Sequence, residues 1–337
     1  MAKIPKMDAE KLQTALFQQI KVNLAPHLSF VDEIANVLDI SNDSAYRRIR
    51  GEKAISFDEV CKMAGHFKIS LDQFLNLQND AVLFSARYVN RDAYDIENYL
   101  QGLIQQLTYF CTFKEKEIFY HNKDIPVFYH FMFPELASFK CYFWSRYNLN
   151  YTQFNKGKFL IDEFVETYTN TGKKIPELYS LIPSTEIWNL DCINTTIRQI
   201  DFYRETKVFA SHEDIFTIYN CLDKMVNHIE KQVEAGVKFP YGKSGEFSNV
   251  RYRVFVNEFL LGDNTLVIQL DNNRMVALNH NVMNYITTRD EKFVNYTFQT
   301  LQTHLKKSTL ISEVGEKERE LFFDGLRERI EIKRKLV

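Results

Sequence analysis

The sequence predicts an α+β protein, mainly helical. A five-helix N-terminal domain over 1–80 is followed by a larger helical domain with a small antiparallel β-meander, over 81–337. Three observations predict this. Serine N-caps (Ser29, Ser41, Ser56, Ser70) recur at short intervals through the first quarter of the chain. Apolar residues then step by three and four through long stretches, as one helix face requires. After residue 250 the period falls to two, between turn-forming sequences. The 337 residues hold only 11 Gly and 7 Pro, and 45% are hydrophobic. That composition favours long helices and allows a large core.

The first domain is read from its caps. A helix over about Asp8–Ala25 opens it. Phe30–Leu38 then places Val31, Ile34, Ala35 and Leu38 on one face, with Ser29 and Asp32 forming a capping-box-like start. Only Asp39-Ile40-Ser41 separates this helix from the next. Ser41 caps the second helix, and Gly51 ends it at the position where a positive φ is usual. Two short helices joined by so short a turn form a helix-turn-helix. On the second helix Ala45 and Ile49 face inward, while Asp43, Arg47 and Arg50 lie opposite. Asn42, Ser44 and Tyr46 occupy the first turn and the flanks. A helix entering the major groove needs long hydrogen-bonding side chains of this kind, because base edges present donors and acceptors there. Ser56-Phe-Asp-Glu59 and Ser70-Leu-Asp-Gln73 are further capping boxes, opening helices with Val60, Ala64 and Phe67, then Phe74 and Leu75.

With these elements in place, residues 8–77 resemble the Xre/Cro-type helix-turn-helix domain of phage repressors and bacterial regulators. The resemblance rests on Ala35, Leu38-Asp-Ile-Ser41, Ile49-Arg-Gly51 and Ile69-Ser-Leu-Asp72. Two features depart from the family. Asp39 stands where glycine is usual, although Asp tolerates the left-handed region better than most residues. The segment near Ile49 is arginine-rich where an acidic residue is common. The resemblance implies contact with double-stranded DNA by Asn42, Asp43, Ser44, Tyr46, Arg47, Arg48, Arg50 and Lys53, with Arg48 and Lys53 on phosphates. Two plainer readings compete: a solvated face with an Asp43–Arg47 pair, and a domain of this type that docks a protein instead.

Charge bounds the binding mode. Met1–Asp80 carries 10 Lys and Arg against 11 Asp and Glu, while Ser41–Ile55 carries four against two. Positive charge is local, so one copy is expected to bind DNA weakly and a homodimer is expected. The five cysteines are scattered and form no C-x-x-C pair, which suits free thiols in the cytoplasm rather than a disulfide framework or zinc site. No signal region and no membrane-length apolar run is read.

Helices are expected within 92–236, strands within 250–278 and helices again within 290–335. The first helix, from about Asp92 to Thr112, carries the seam Ile96, Leu100, Leu103, Leu107, Phe110. The helix over 211–236 carries Ile215, Tyr219, Leu222, Val226, Ile229, Val233. Either seam is a candidate dimer contact, weighed against packing on its own chain. Glu117–His121 reads as a strand, Leu160–Tyr168, Pro176–Leu181 and Glu186–Glu205 as helices. Aromatic residues crowd Tyr120–Trp144, as core or as the wall of a ligand pocket. Val250–Leu261, Thr265–Leu270 and Arg274–Leu278 form the meander, and Thr309–Ser312 a short added strand. Gly242-Lys-Ser244 lacks the glycine spacing and the preceding strand of a phosphate loop. No catalytic, metal or cofactor motif is found, so no enzyme activity and no cofactor is expected. These readings predict a sequence-specific transcription regulator whose C-terminal region dimerises and senses an unidentified small-molecule effector. The alternative is a DNA-anchored module that recruits a partner.

Overall fold

The computed structural model describes residues 8–24, 28–74, 81–86, 96–154, 157–162, 171–246, 248–259, 262–281 and 283–337. The expected boundary at Gln78–Asp80, the start of the helix at Asp92 and the helical reading of 163–168 lie outside the described residues, as do Leu75 and residues 260–261. The chain divides into two compact units, Met1–Leu83 and Phe84–Val337.

The first unit contains α1 (Ala9–Asn23), α2 (Phe30–Leu38), α3 (Asn42–Ile49), α4 (Phe57–His66) and α5 (Leu71–Phe74). Leu16, Phe17 and Ile20 of α1 form one core with Ile34, Ala35, Leu38, Ala45 and Met63. Asp8, Ser41 and Ser56 cap their helices through their side chains, and Ser56 with Glu59 makes a complete capping box. Ser29 makes no such cap. The Asp32 carboxylate, its expected partner in the box, instead accepts from Asn42 Nδ2 at 2.8 Å.

The second unit is built on one seven-stranded mixed sheet. Its strands are β1 (Lys116–His121), β2 (Ser184–Trp188), β3 (Tyr252–Val256), β4 (Thr265–Leu270), β5 (Asn273–Asn279), β6 (Tyr285–Thr288) and β7 (Thr309–Leu310). They lie in the order β6-β5-β4-β1-β2-β3-β7. β1, β2 and β3 run parallel to their neighbours in this trio, and the flanking pairs are antiparallel. This corrects the expected fold class. The sheet is larger than a small meander and is not purely antiparallel, and β3 is separated from β4 by β1 and β2. Ser184–Trp188 is wholly buried. A central parallel strand is covered on both faces, so it shows no alternation by which to be read; the expected helix begins only at Asn194.

The sheet has a helix-bearing layer on each face. Phe119, Ile187, Phe255, Val267 and Val276 meet Val294, Leu301 and Leu305 of the helix Glu291–Lys306. Ile118, Tyr120, Tyr252, Val254, Leu266 and Ile268 point the other way, into the large core. There they meet α6 (Ile96–Cys111), α7 (Val127–His130), α8 (Pro134–Phe143), α9 (Lys174–Tyr179), α10 (Asn194–Glu205), α11 (His212–Ala235) and the C-terminal helix Glu316–Arg334. The seam residues of α6 and α11 lie in or against this core. Both candidate dimer seams are therefore spent within the chain. Most of the Tyr120–Trp144 aromatics are core as well. No described helix is long and apolar enough to cross a membrane.

The tight α1–α2–α3 core sets the first expected outcome. Ala35→Glu puts an unpaired carboxylate where 6% of the residue is exposed, at a cost of about 4 kcal/mol. Thermal unfolding should show the Met1–Leu83 transition lost and the Phe84–Val337 transition retained. An unchanged melting profile would show the α2 register to be wrong.

Candidate functional site

The turn before α3 is made by backbone geometry. Asp39 adopts φ 54°, ψ 52°, and the Ile40 amide donates to the Ala35 carbonyl at 3.0 Å. Asp at this position supplies the left-handed residue that ends α2. Ser41 Oγ then accepts from the Ser44 amide and starts α3, and Gly51 at φ 79° turns the chain away.

This geometry sorts the eight predicted contact residues. Asp43, Tyr46, Arg47 and Arg50 are all exposed and fall at i, i+3, i+4, i+7, one outward stripe. Asn42 and Lys53 flank it, also exposed. Ser44 is half-buried and accepts a hydrogen bond from the Ser41 hydroxyl, so it belongs to the cap. Arg50 Nε meets Glu52 at 3.0 Å on the surface. Asp43 and Arg47 form no ion pair with each other among the described residues.

Arg48 is a correction. It is 5% exposed, and its Nε and Nη2 donate to Glu59 Oε1 at 3.0 and 2.6 Å. Its Nη1 donates to the Ser44 carbonyl. Glu59 Oε2 accepts from the Ser56 amide. Bonding to Arg48, then to Ser56, holds the Glu59 carboxyl below its ordinary value of 4.5. One carboxylate thus caps α4 and clamps α3, and Arg48 is unavailable to phosphate. Its place beside inward Ala45 and Ile49 is the sequence signal that marks it. Gln13 of α1 was not anticipated. Its Nε2 donates to the carbonyls of Arg48 and Lys53, and its Oε1 accepts from the Ile55 amide. That fork fixes the segment following α3.

In the second unit, buried polar groups converge on β2. Glu186 is 0% exposed and accepts from Tyr179 Oη (2.5 Å), Ser184 Oγ (2.7 Å), Trp188 Nε1 (2.8 Å), Tyr252 Oη (3.3 Å) and Asn122 Nδ2 (3.4 Å). Burial, and then the Glu186 charge, holds the Tyr179 and Tyr252 hydroxyls well above their ordinary value. Lys238, 1% exposed, stands 3.9 Å from Glu186. Burial pushes its ammonium down from 10.5 to about 7, against the pull of Glu186. Burial also lowers His228 of α11 to about 4. Nothing in the sequence singled out Glu186, read as helical, or Lys238, read as loop. Among the described residues no group of three or more His, Cys, Asp or Glu is placed to hold a metal ion.

Two outcomes follow. Arg48→Met should lower the stability of Met1–Leu83 by roughly 1–2 kcal/mol, the cost of leaving the part-buried Glu59 carboxylate without its charged partner. A denaturant midpoint within error of wild type would return Arg48 to the surface set. Lys238 has a folded-state value below its unfolded one, so the folded chain binds fewer protons between about 7 and 10.5. The cost of its charge is full below about pH 7 and fades as pH rises towards 10.5. Melting of Lys238→Met relative to wild type should therefore favour the variant most at pH 6 and least at pH 9. A pH-independent difference would contradict this.

Compared with known proteins, the chain matches no family model, no curated protein and no solved structure.

Proposed function

We propose that the chain is a sequence-specific DNA-binding transcription regulator of the Xre/Cro type, with α3 as its recognition helix. The observation that carries the reading is the exposed stripe Asp43, Tyr46, Arg47, Arg50 on a short helix behind a left-handed three-residue turn. Arg47 is one turn beyond Asp43 and reaches a guanine edge. Lys53 and Arg50 meet phosphates, and Asn42 orients the helix start through Asp32. The net charge of the region is small, so two chains act together on half-sites about 34–36 Å apart. They pair through surfaces of Phe84–Val337 other than the buried α6 and α11 seams, and that unit senses an effector. The five free thiols fit a reducing cytoplasm.

A second reading, protein docking by the first unit, is favoured by two exposed aromatics, Tyr46 (49%) on α3 and Phe57 (78%) on α4.

Titration with an operator selected from random DNA separates the two. Arg47→Ala should lose about 1–3 kcal/mol and flatten preference at one base pair. Lys53→Ala should weaken all sequences alike and reduce the salt slope by about one unit. Sedimentation of the complex should give two chains per operator. Unchanged affinity and salt dependence in Arg47→Ala would favour the docking reading.

A further inference from the structure

Lys140 and Lys238 are both buried, and only one of them is satisfied. Lys140 Nζ donates to Thr196 at 3.2 Å and to Gln199 at 2.7 Å. Lys238 Nζ donates no hydrogen bond. It lies 3.4 Å above the centre of the Tyr179 ring and 3.9 Å from Glu186, beyond hydrogen-bond reach. Glu186 does not need it, since five neutral donors already serve its two oxygens. A buried ammonium without an acceptor is costly, so its retention calls for a further role.

A cavity of about 200 Å³ adjoins it. Tyr129, Phe131, Tyr179, Phe239 and Tyr241 line the cavity together with Lys238. The hydroxyls of Tyr129 and Tyr179 are spent on Gln232 and Glu186. These two rings therefore offer apolar surface and no free donor. Lys173 and Glu177, also on the lining, bring opposite charges. Charge selection thus falls to Lys238.

We propose that this cavity binds a small aromatic carboxylate, its ring among the tyrosines and phenylalanines and its carboxylate on Lys238. The volume holds about six or seven water-sized groups, the size of a single-ring acid. It is below the roughly 300 Å³ at which cavities for drug-sized ligands begin. The flexible four-carbon stem of Lys238 lets Nζ turn from the Tyr179 face to a ligand oxygen. A carboxylate is preferred over a neutral carbonyl because, in a low-dielectric site, an ammonium attracts a full negative charge more strongly than a carbonyl dipole. The binding site stands whether or not α3 meets DNA. Only its role as effector site rests on the regulator reading.

Calorimetric titration of the full chain, without DNA, tests it with benzoate and with benzamide, the neutral molecule of the same shape. Benzoate should bind once per chain and benzamide about tenfold more weakly, the effect of replacing a charge–charge contact by a charge–dipole one. Lys238→Met should bring benzoate to the benzamide level. Tyr241→Ala alters a half-exposed residue of the lining and should weaken both probes alike. It carries the test if Lys238→Met does not fold. The proposal is overturned if benzoate does not bind saturably, if benzamide binds as well, or if a folded Lys238→Met or Tyr241→Ala binds benzoate like wild type. Since DNA is absent, none of these results bears on the recognition helix.

Discussion

A carboxylate at the centre of the sheet constrains the whole second unit. Glu186 lies on β2, between β1 and β3, on the face turned to the large core. Leaving such a charge unpaired in an apolar interior costs several kcal/mol. The fold surrounds it with donors from β2 itself, from β3, from α9 and from the end of β1. Ser184, Trp188 and Tyr179 are close to Glu186 in the chain, but Tyr252 and Asn122 are more than sixty residues away and reach it only when the parallel trio is paired. The carboxylate therefore helps to specify register. A one-residue slip of β2 would turn Glu186 to the opposite face, among Phe119, Val267 and Phe255, where no such donors wait.

The first unit uses the same device on a smaller scale. Gln13 reaches backbone groups on both sides of the loop after α3, and Arg48 grips Glu59 beneath it. Buried polar groups with every donor and acceptor matched make a site stiff as well as stable. The exposed stripe of α3 is thereby held from three sides: by the turn at Asp39, by Gln13 and by Glu59. The recognition role proposed for α3 would draw on that rigidity, because a mobile side chain gives up conformational entropy on contact.

The two lysines of the large core contrast in use. Lys140 is absorbed by neutral partners and has the character of a structural group. Lys238 sits between a saturated carboxylate and an aromatic-lined cavity. Local composition does not separate them, for each is surrounded by apolar neighbours in the sequence. The difference lies in which side chains other elements bring to each ammonium.

Local chemistry made much of the chain legible. Ser41, Ser56 and Gly51 bounded the short helices, and the three-and-four spacing of α6 and α11 marked their buried faces. These features work within one or two turns, so the sequence by itself determined them, together with the outward stripe on α3. The antiparallel pair β4–β5 was legible too, since alternation and a tight turn specify a hairpin. Tertiary structure alone decided the rest. β2 is covered on both faces and loses its period, so it was read as the start of a helix. The place of Arg48 beside inward Ala45 and Ile49 pointed to burial, but its partner Glu59 comes from α4 and only the fold supplies it. Lys238 gained its character from Glu186 and Tyr179, tens of positions away, and Glu186 gained part of its own from Tyr252 and Asn122. Capping and periodicity are written in neighbouring residues, whereas the pairing of buried charges depends on which distant elements the fold places within a few ångströms.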